Sequence, residues 1–162
     1  MVESAESVLP AYLWPPSSWV AEANRLRVFQ IAYPPCLPKG SCFNRYRIQG
    51  GRWLTIPILH TLKSSPYEAT WPTDKHWRLY HWRTLLTLYG KAPFFYEWKP
   101  FLEYLYLQAP FTRLSQFTEC VLLEIARLYG WRLSWSERYL GPVQRCSPSE
   151  LSILDQLLRA GL

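Results

Sequence analysis

Arg45 and Arg47 stand two residues apart in Cys42-Phe43-Asn44-Arg45-Tyr46-Arg47-Ile48. On a strand this spacing puts both stems on one face, about 7 Å apart. Two guanidiniums so placed can each grip a phosphate or a carboxylate through a planar fork. The plainer alternative is a pair of surface arginines beside Phe43. Asn44 points to the other face and joins the same ligand only at an edge or a sharp twist. No acid lies between Glu22 and Glu68, so these arginines must find partners in distant segments or in a ligand.

His81 is the second candidate. It lies four residues from both Trp77 and Leu85, inside the apolar arc of an expected helix. A histidine there is either a satisfied core residue or a general acid or base at the floor of an aromatic pocket. Arg78 falls in the same arc, either snorkelling past Trp82 or closing an anion site. Arg83 lies on the polar face. His76 and His81, five apart, would point about 140° away from each other on a helix.

Other chemistries find no template. The sequence has no G-x-S-x-G elbow, no G-x-G-x-x-G, no Walker loop and no tight acidic pair. Cys36, Cys42, Cys120 and Cys146 lack C-x-x-C spacing and read as incidental thiols, so neither a metal nor a cofactor is expected.

The charge is uneven. The chain carries 18 bases and 12 acids, and the whole excess falls between residues 41 and 100, with nine bases against three acids. Such a field favours a small anionic partner or a nucleic acid. Phe43-Asn44-Arg45-Tyr46-Arg47 interleaves aromatic and basic residues, which fits single-stranded RNA stacked on a sheet. Aromatics reach 17%, and a third reading gives that excess to an oligomer interface. No apolar run is long enough to span a membrane. The acidic start, Met1 to Glu6, predicts an uncleaved cytoplasmic chain.

These candidates need a frame, and 162 residues with a 49% apolar fraction suit one domain over 1–162. The proline-rich Leu9–Pro16 segment cannot be regular helix. Ser17 or Ser18 is expected to cap a helix to about Asn24, followed by a strand over 27–32. A hairpin is predicted from 42–48 and 52–59 around Gln49-Gly50-Gly51. Thr73 or Asp74 opens a helix ending near Gly90, and another starts at Pro93 and bends or ends at Pro100. Ser115 starts a helix with a Phe117, Val121, Ile125, Leu128 stripe, and 132–135 returns as a strand. Ser147-Pro148-Ser149-Glu150 reads as a capping box opening the last helix. The expected class is α/β or α+β, one small sheet packed by three or four helices.

The run Asn44–Ile48, two glycines and Leu54-Thr55-Ile56-Pro57-Ile58 resembles the WbqC family of bacterial proteins. Trp77-Arg78-Leu79-Tyr80-His81-Trp82-Arg83 is similar to that family's W-x-x-x-H-W-R/K run. Tyr89 with Pro93-Phe94-Phe95, the opening Pro10, Tyr12 and Pro15, and Leu128-Tyr129-Gly130 resemble further stretches of it. The resemblance implies surface-polysaccharide (O-antigen) synthesis, with transferase or ligase activity on a sugar precursor. The chain departs from the family at Gln30, Ala32 and Tyr33, where members commonly place acids. The expected site is one pocket lined by Tyr12, Asn44, Arg45, Arg47, His81 and Trp82, with Arg78 and Arg83 also holding substrate. Arginines would hold the phosphates of a nucleotide-linked sugar, and His81 would move the proton.

Overall fold

A computed structural model describes residues 7–36, 41–59, 65–72, 76–136 and 150–162. The expected helix start at Thr73 or Asp74 and the first three residues of the expected capping box lie outside these. Mixed α/β architecture is observed, with two small sheets rather than one. The first sheet is three-stranded and parallel, in the order β1 (Val8–Pro10), β2 (Val28–Ala32), β5 (Arg132–Trp135). The second is an antiparallel hairpin, β3 (Arg45–Ile48) and β4 (Arg52–Thr55). Five helices accompany them: α1 (Ser17–Leu26), α2 (His76–Tyr89), α3 (Phe95–Glu103), α4 (Leu114–Tyr129) and α5 (Ile153–Arg159).

The proline-rich opening is extended, as its backbone chemistry demands, but it also pairs as β1. Proline is tolerated there because β1 is an edge strand. β1, α1 and β2 form a crossover unit, and β5 comes from the far end of the sequence to complete the sheet. Phe29 and Ile31 are fully buried on the central strand. Phe29, Trp19 and Trp131 meet edge to face at 5.7–5.8 Å, joining α1, β2 and the entry to β5.

The two glycines of the hairpin turn take φ values of 80° and 74°, the left-handed region that admits glycine at low cost. Tyr89 fixes that turn, because its hydroxyl accepts from Gln49 N–H at 2.8 Å and donates to Asp155 at 2.6 Å. Helix α4 buries Phe117, Val121 and Ile125 completely, as the stripe predicts. It closes at Gly130, φ 75°, from which Trp131 and β5 depart. Gly130→Ala is expected to cost about 1–2 kcal/mol, because alanine is disfavoured in that conformation. Urea denaturation checks this.

Helix α3 runs through Pro100 to Glu103 and continues as a π-helical turn, Tyr104–Gln108, so of bending and ending, the two outcomes expected of Pro100, the helix does not end there. Two expectations need correction. Helix α5 begins at Ile153, and Glu150 serves another helix. Its carboxylate accepts from Ser18 N–H at 2.6 Å and from the Ser17 hydroxyl at 3.2 Å, so it supplies the cap that the serines were expected to give α1. A carboxylate there meets both the orphan donors and the positive end of the helix. Cys42 is disulfide-bonded, whereas Cys36 and Cys120 carry free thiols.

Seven of the nine tryptophans are buried, so most of the aromatic excess fills the core. Among the described residues no helix is long and apolar enough to cross a membrane.

Candidate functional site

The hairpin separates the residues that the sequence reading gathered into one pocket. Side chains alternate along β3, so Tyr46 and Ile48 are buried while Arg45 and Arg47 are half-buried on the opposite face. Trp53, facing Arg47 across the ladder, carries both guanidiniums over its ring, Arg45 at 4.2 Å and Arg47 at 5.8 Å from the centroid. Arg47 Nε donates to the Gly51 carbonyl at 3.2 Å, and its Nη1 is buried without a hydrogen-bond partner. A hollow that holds Arg47 and Trp53 together has about 10 Å³ of room, too little for a substrate.

His81 lies behind the other face, 1% exposed. Its Nε2 stands 3.0 Å from the Thr55 carbonyl, which can only accept, so Nε2 carries the proton. Nδ1 then accepts from the Tyr46 hydroxyl at 3.0 Å. Tyr46 accepts from the Tyr106 hydroxyl at 2.6 Å, and Tyr106 from the Trp14 indole N–H at 3.2 Å. Direction is fixed at both ends, by a donor-only indole and an acceptor-only carbonyl. The relay ties the N-terminal segment, the hairpin, α2 and the π-helical turn together. Burial holds the His81 imidazole down to about 4, partly offset by the bond to Thr55. It also pushes the Tyr46 and Tyr106 hydroxyls well up. Both nitrogens of His81 are committed inside the core, on the side of β3 opposite to Arg45 and Arg47.

A different cavity, about 480 Å³, opens beyond the carboxyl ends of β2 and β5. In parallel sheets this is where ligands are commonly received. Its aromatic wall is Tyr33, just past β2, Tyr67, and Trp135 at the end of β5. Glu119 enters from α4 and Glu68 from the 65–68 turn, with Ser65 and Ser136 adding hydroxyls. Ser65 pins that turn to the segment after β2, donating to the Pro34 carbonyl at 2.7 Å and accepting from Tyr67 N–H at 3.2 Å. Tyr33 is 7% exposed, and its hydroxyl is buried with no hydrogen-bond partner. Burial raises the Tyr33 hydroxyl, reinforced by Glu119 and Tyr67, and burial alone raises the Glu119 carboxyl. No base lines the cavity among the described residues.

The WbqC-like protein family matches residues 36–146, more than two thirds of the chain. The chain belongs to the WbqC-like family. No curated protein and no solved structure matches it. The WbqC-like match spans the hairpin, α2, α3, α4 and β5, and it takes in Glu68, Glu119 and Trp135 of the cavity wall. Tyr33 lies before it.

The motif residues that carry the WbqC resemblance mainly join hairpin to helix. Asn44 donates through its amide to the Ile56 carbonyl at 3.1 Å, and Ile56 N–H returns to the Asn44 carbonyl at 2.7 Å, extending the hairpin. Trp77 packs on Trp71 and His81, and Trp82 stacks on Phe95, both buried. Arg78 is 4% exposed, donates to the Leu105 carbonyl at 2.7 Å, and lies about 6 Å from the rings of Trp71 and Trp77. Tyr12 is buried edge-on against Phe43. Arg83 is exposed to solvent. None of the eight expected residues lines the larger cavity. Phe43 and Tyr46, the two aromatics of the run expected to stack RNA, are buried, and Trp53 lies beside the arginines. The cavity escaped sequence reading because its walls come from four separated segments, each unremarkable by itself. Its one early signal was Tyr33, where an acid was expected.

Proposed function

We propose that this WbqC-like chain binds a sugar precursor of bacterial surface-polysaccharide (O-antigen) synthesis and serves in group transfer to or from it. The cavity beyond β2 and β5 carries this reading. Its volume suits a sugar-sized ligand with room for an acceptor. Aromatic faces can lie along the C–H faces of a pyranose ring, while carboxylates and hydroxyls accept and donate to its hydroxyl groups. The resemblance noted in the sequence supplies the biosynthetic setting.

A nucleotide-linked form of the precursor is favoured by the hairpin face. The guanidiniums of Arg45 and Arg47 over the Trp53 ring give that face the charge for a phosphate and the aromatic surface for a base. The two parts are separable. Trp135→Ala, at an exposed position, is expected to weaken binding of free sugar and of nucleotide sugar about tenfold in titration calorimetry. Arg47→Ala is expected to weaken only the nucleotide sugar. Absence of binding by any nucleotide sugar or monosaccharide, or an unchanged affinity in Trp135→Ala, would sink the assignment.

A further inference from the structure

The described wall of the cavity and the chain as a whole differ in sign. Net charge is +6, yet the described wall of the cavity carries two carboxylates and no base. Glu119 is half-buried there, with no ion pair among the described residues. A carboxylate taken out of water without a counter-charge is costly, and a cationic ligand restores what burial removes. Burial raises its carboxyl, the response of an acid lacking such a partner. The Tyr33 hydroxyl, more than nine-tenths buried and unpartnered, offers a further lone pair in the same wall. Tyr33 and Tyr67 meet edge to face at 5.4 Å, and with Trp135 they present the ring faces that attract an ammonium group.

We infer that this cavity takes a ligand bearing a protonated amine, an amino sugar with its amine free, met by Glu119 and Glu68 and by the aromatic rings. This rests on the proposed reading of the cavity as the sugar site and narrows its substrate class. An anionic sugar would bring a third negative group among two carboxylates, so anionic character belongs only to a phosphate reaching outside the cavity.

Titration calorimetry of the intact chain at pH 7 with D-glucosamine, D-glucose, D-glucuronic acid and butylammonium chloride tests it. Glucosamine is expected to bind at least tenfold tighter than glucose, and glucuronic acid most weakly. Glu119→Gln is expected to bring glucosamine to within about twofold of glucose, with circular dichroism confirming the fold. Equal binding of glucose and glucosamine, or a preference that survives in Glu119→Gln/Glu68→Gln, overturns the inference and leaves the sugar site standing. Binding of butylammonium, abolished in Glu119→Gln, without binding of any sugar supports the amine site and overturns the sugar reading. No binding by any of the four overturns both.

Discussion

His81→Ala is expected to lower the unfolding free energy by about 4 kcal/mol, a large part of the 5–15 kcal/mol that holds a typical domain. Two losses combine. Removing a buried ring leaves a cavity that close-packed neighbours fill only in part, and core truncations of this size cost about 2–5 kcal/mol. The same change strips the Tyr46 hydroxyl of its acceptor and the Thr55 carbonyl of its donor, each about 1–3 kcal/mol when left unpaired in the core. The losses overlap, because water admitted to the new space would partner both groups. Urea denaturation gives the number, and a loss under 1 kcal/mol would mean that the relay does not hold the fold. Tyr46→Phe should cost less, since it keeps the ring and breaks only two hydrogen bonds. The double variant should lose less than the sum, because both changes break the same bond. Ligand affinity in the cavity should survive His81→Ala below its melting range. Loss of ligand binding in a folded variant would return His81 to the binding machinery.

Acid should weaken the protein through the same residue. The imidazole sits at about 4 in the folded chain against 6.5 when unfolded. Between those values the unfolded chain binds a proton that the native chain refuses, so stability rises with pH across the window. The contribution is complete above about pH 6.5, is lost as pH falls, and amounts to about 3 kcal/mol by pH 4. The relay explains the refusal. A proton on Nδ1 would face the Tyr46 hydroxyl as donor against donor, and turning Tyr46 to donate to Tyr106 would take from the Tyr106 hydroxyl its acceptor. Glu119 works in the opposite direction, because a raised carboxyl favours the native state at low pH and loses that advantage as pH rises. A His81→Gln reference therefore isolates the effect. Unfolding free energies at pH 7 and pH 4.5 should fall by about 2 kcal/mol more in the parent chain than in His81→Gln. Parallel pH profiles would show that His81 titrates normally and that the buried relay is misassigned.

Much of the scaffold is legible along the chain because its causes are local. Gly50 and Gly51 announce a turn needing positive φ, the Phe117-Val121-Ile125 stripe marks a core helix, and the 132–135 stretch reads as a strand. The family is legible as well, since its motifs are contiguous. Strand alternation even separates Arg45 and Arg47 from Tyr46. Taking the partner of that alternation one step further, to His81, requires knowing which side of the hairpin α2 covers.

Residue types and spacings alone determined the mixed α/β class, the hairpin and its turn, the helices and the excess of base between residues 41 and 100. Period and backbone freedom are properties of neighbouring residues, so they survive without coordinates. Tertiary structure decided the rest. It buried His81 and Arg78, set the arginines and the imidazole on opposite sides of one strand, and assembled an acidic aromatic cavity from Tyr33, Glu68, Glu119 and Trp135. Those outcomes depend on which distant segments meet, and β5 joining β2 after about a hundred intervening residues is a choice made by packing, for which local sequence carries no period.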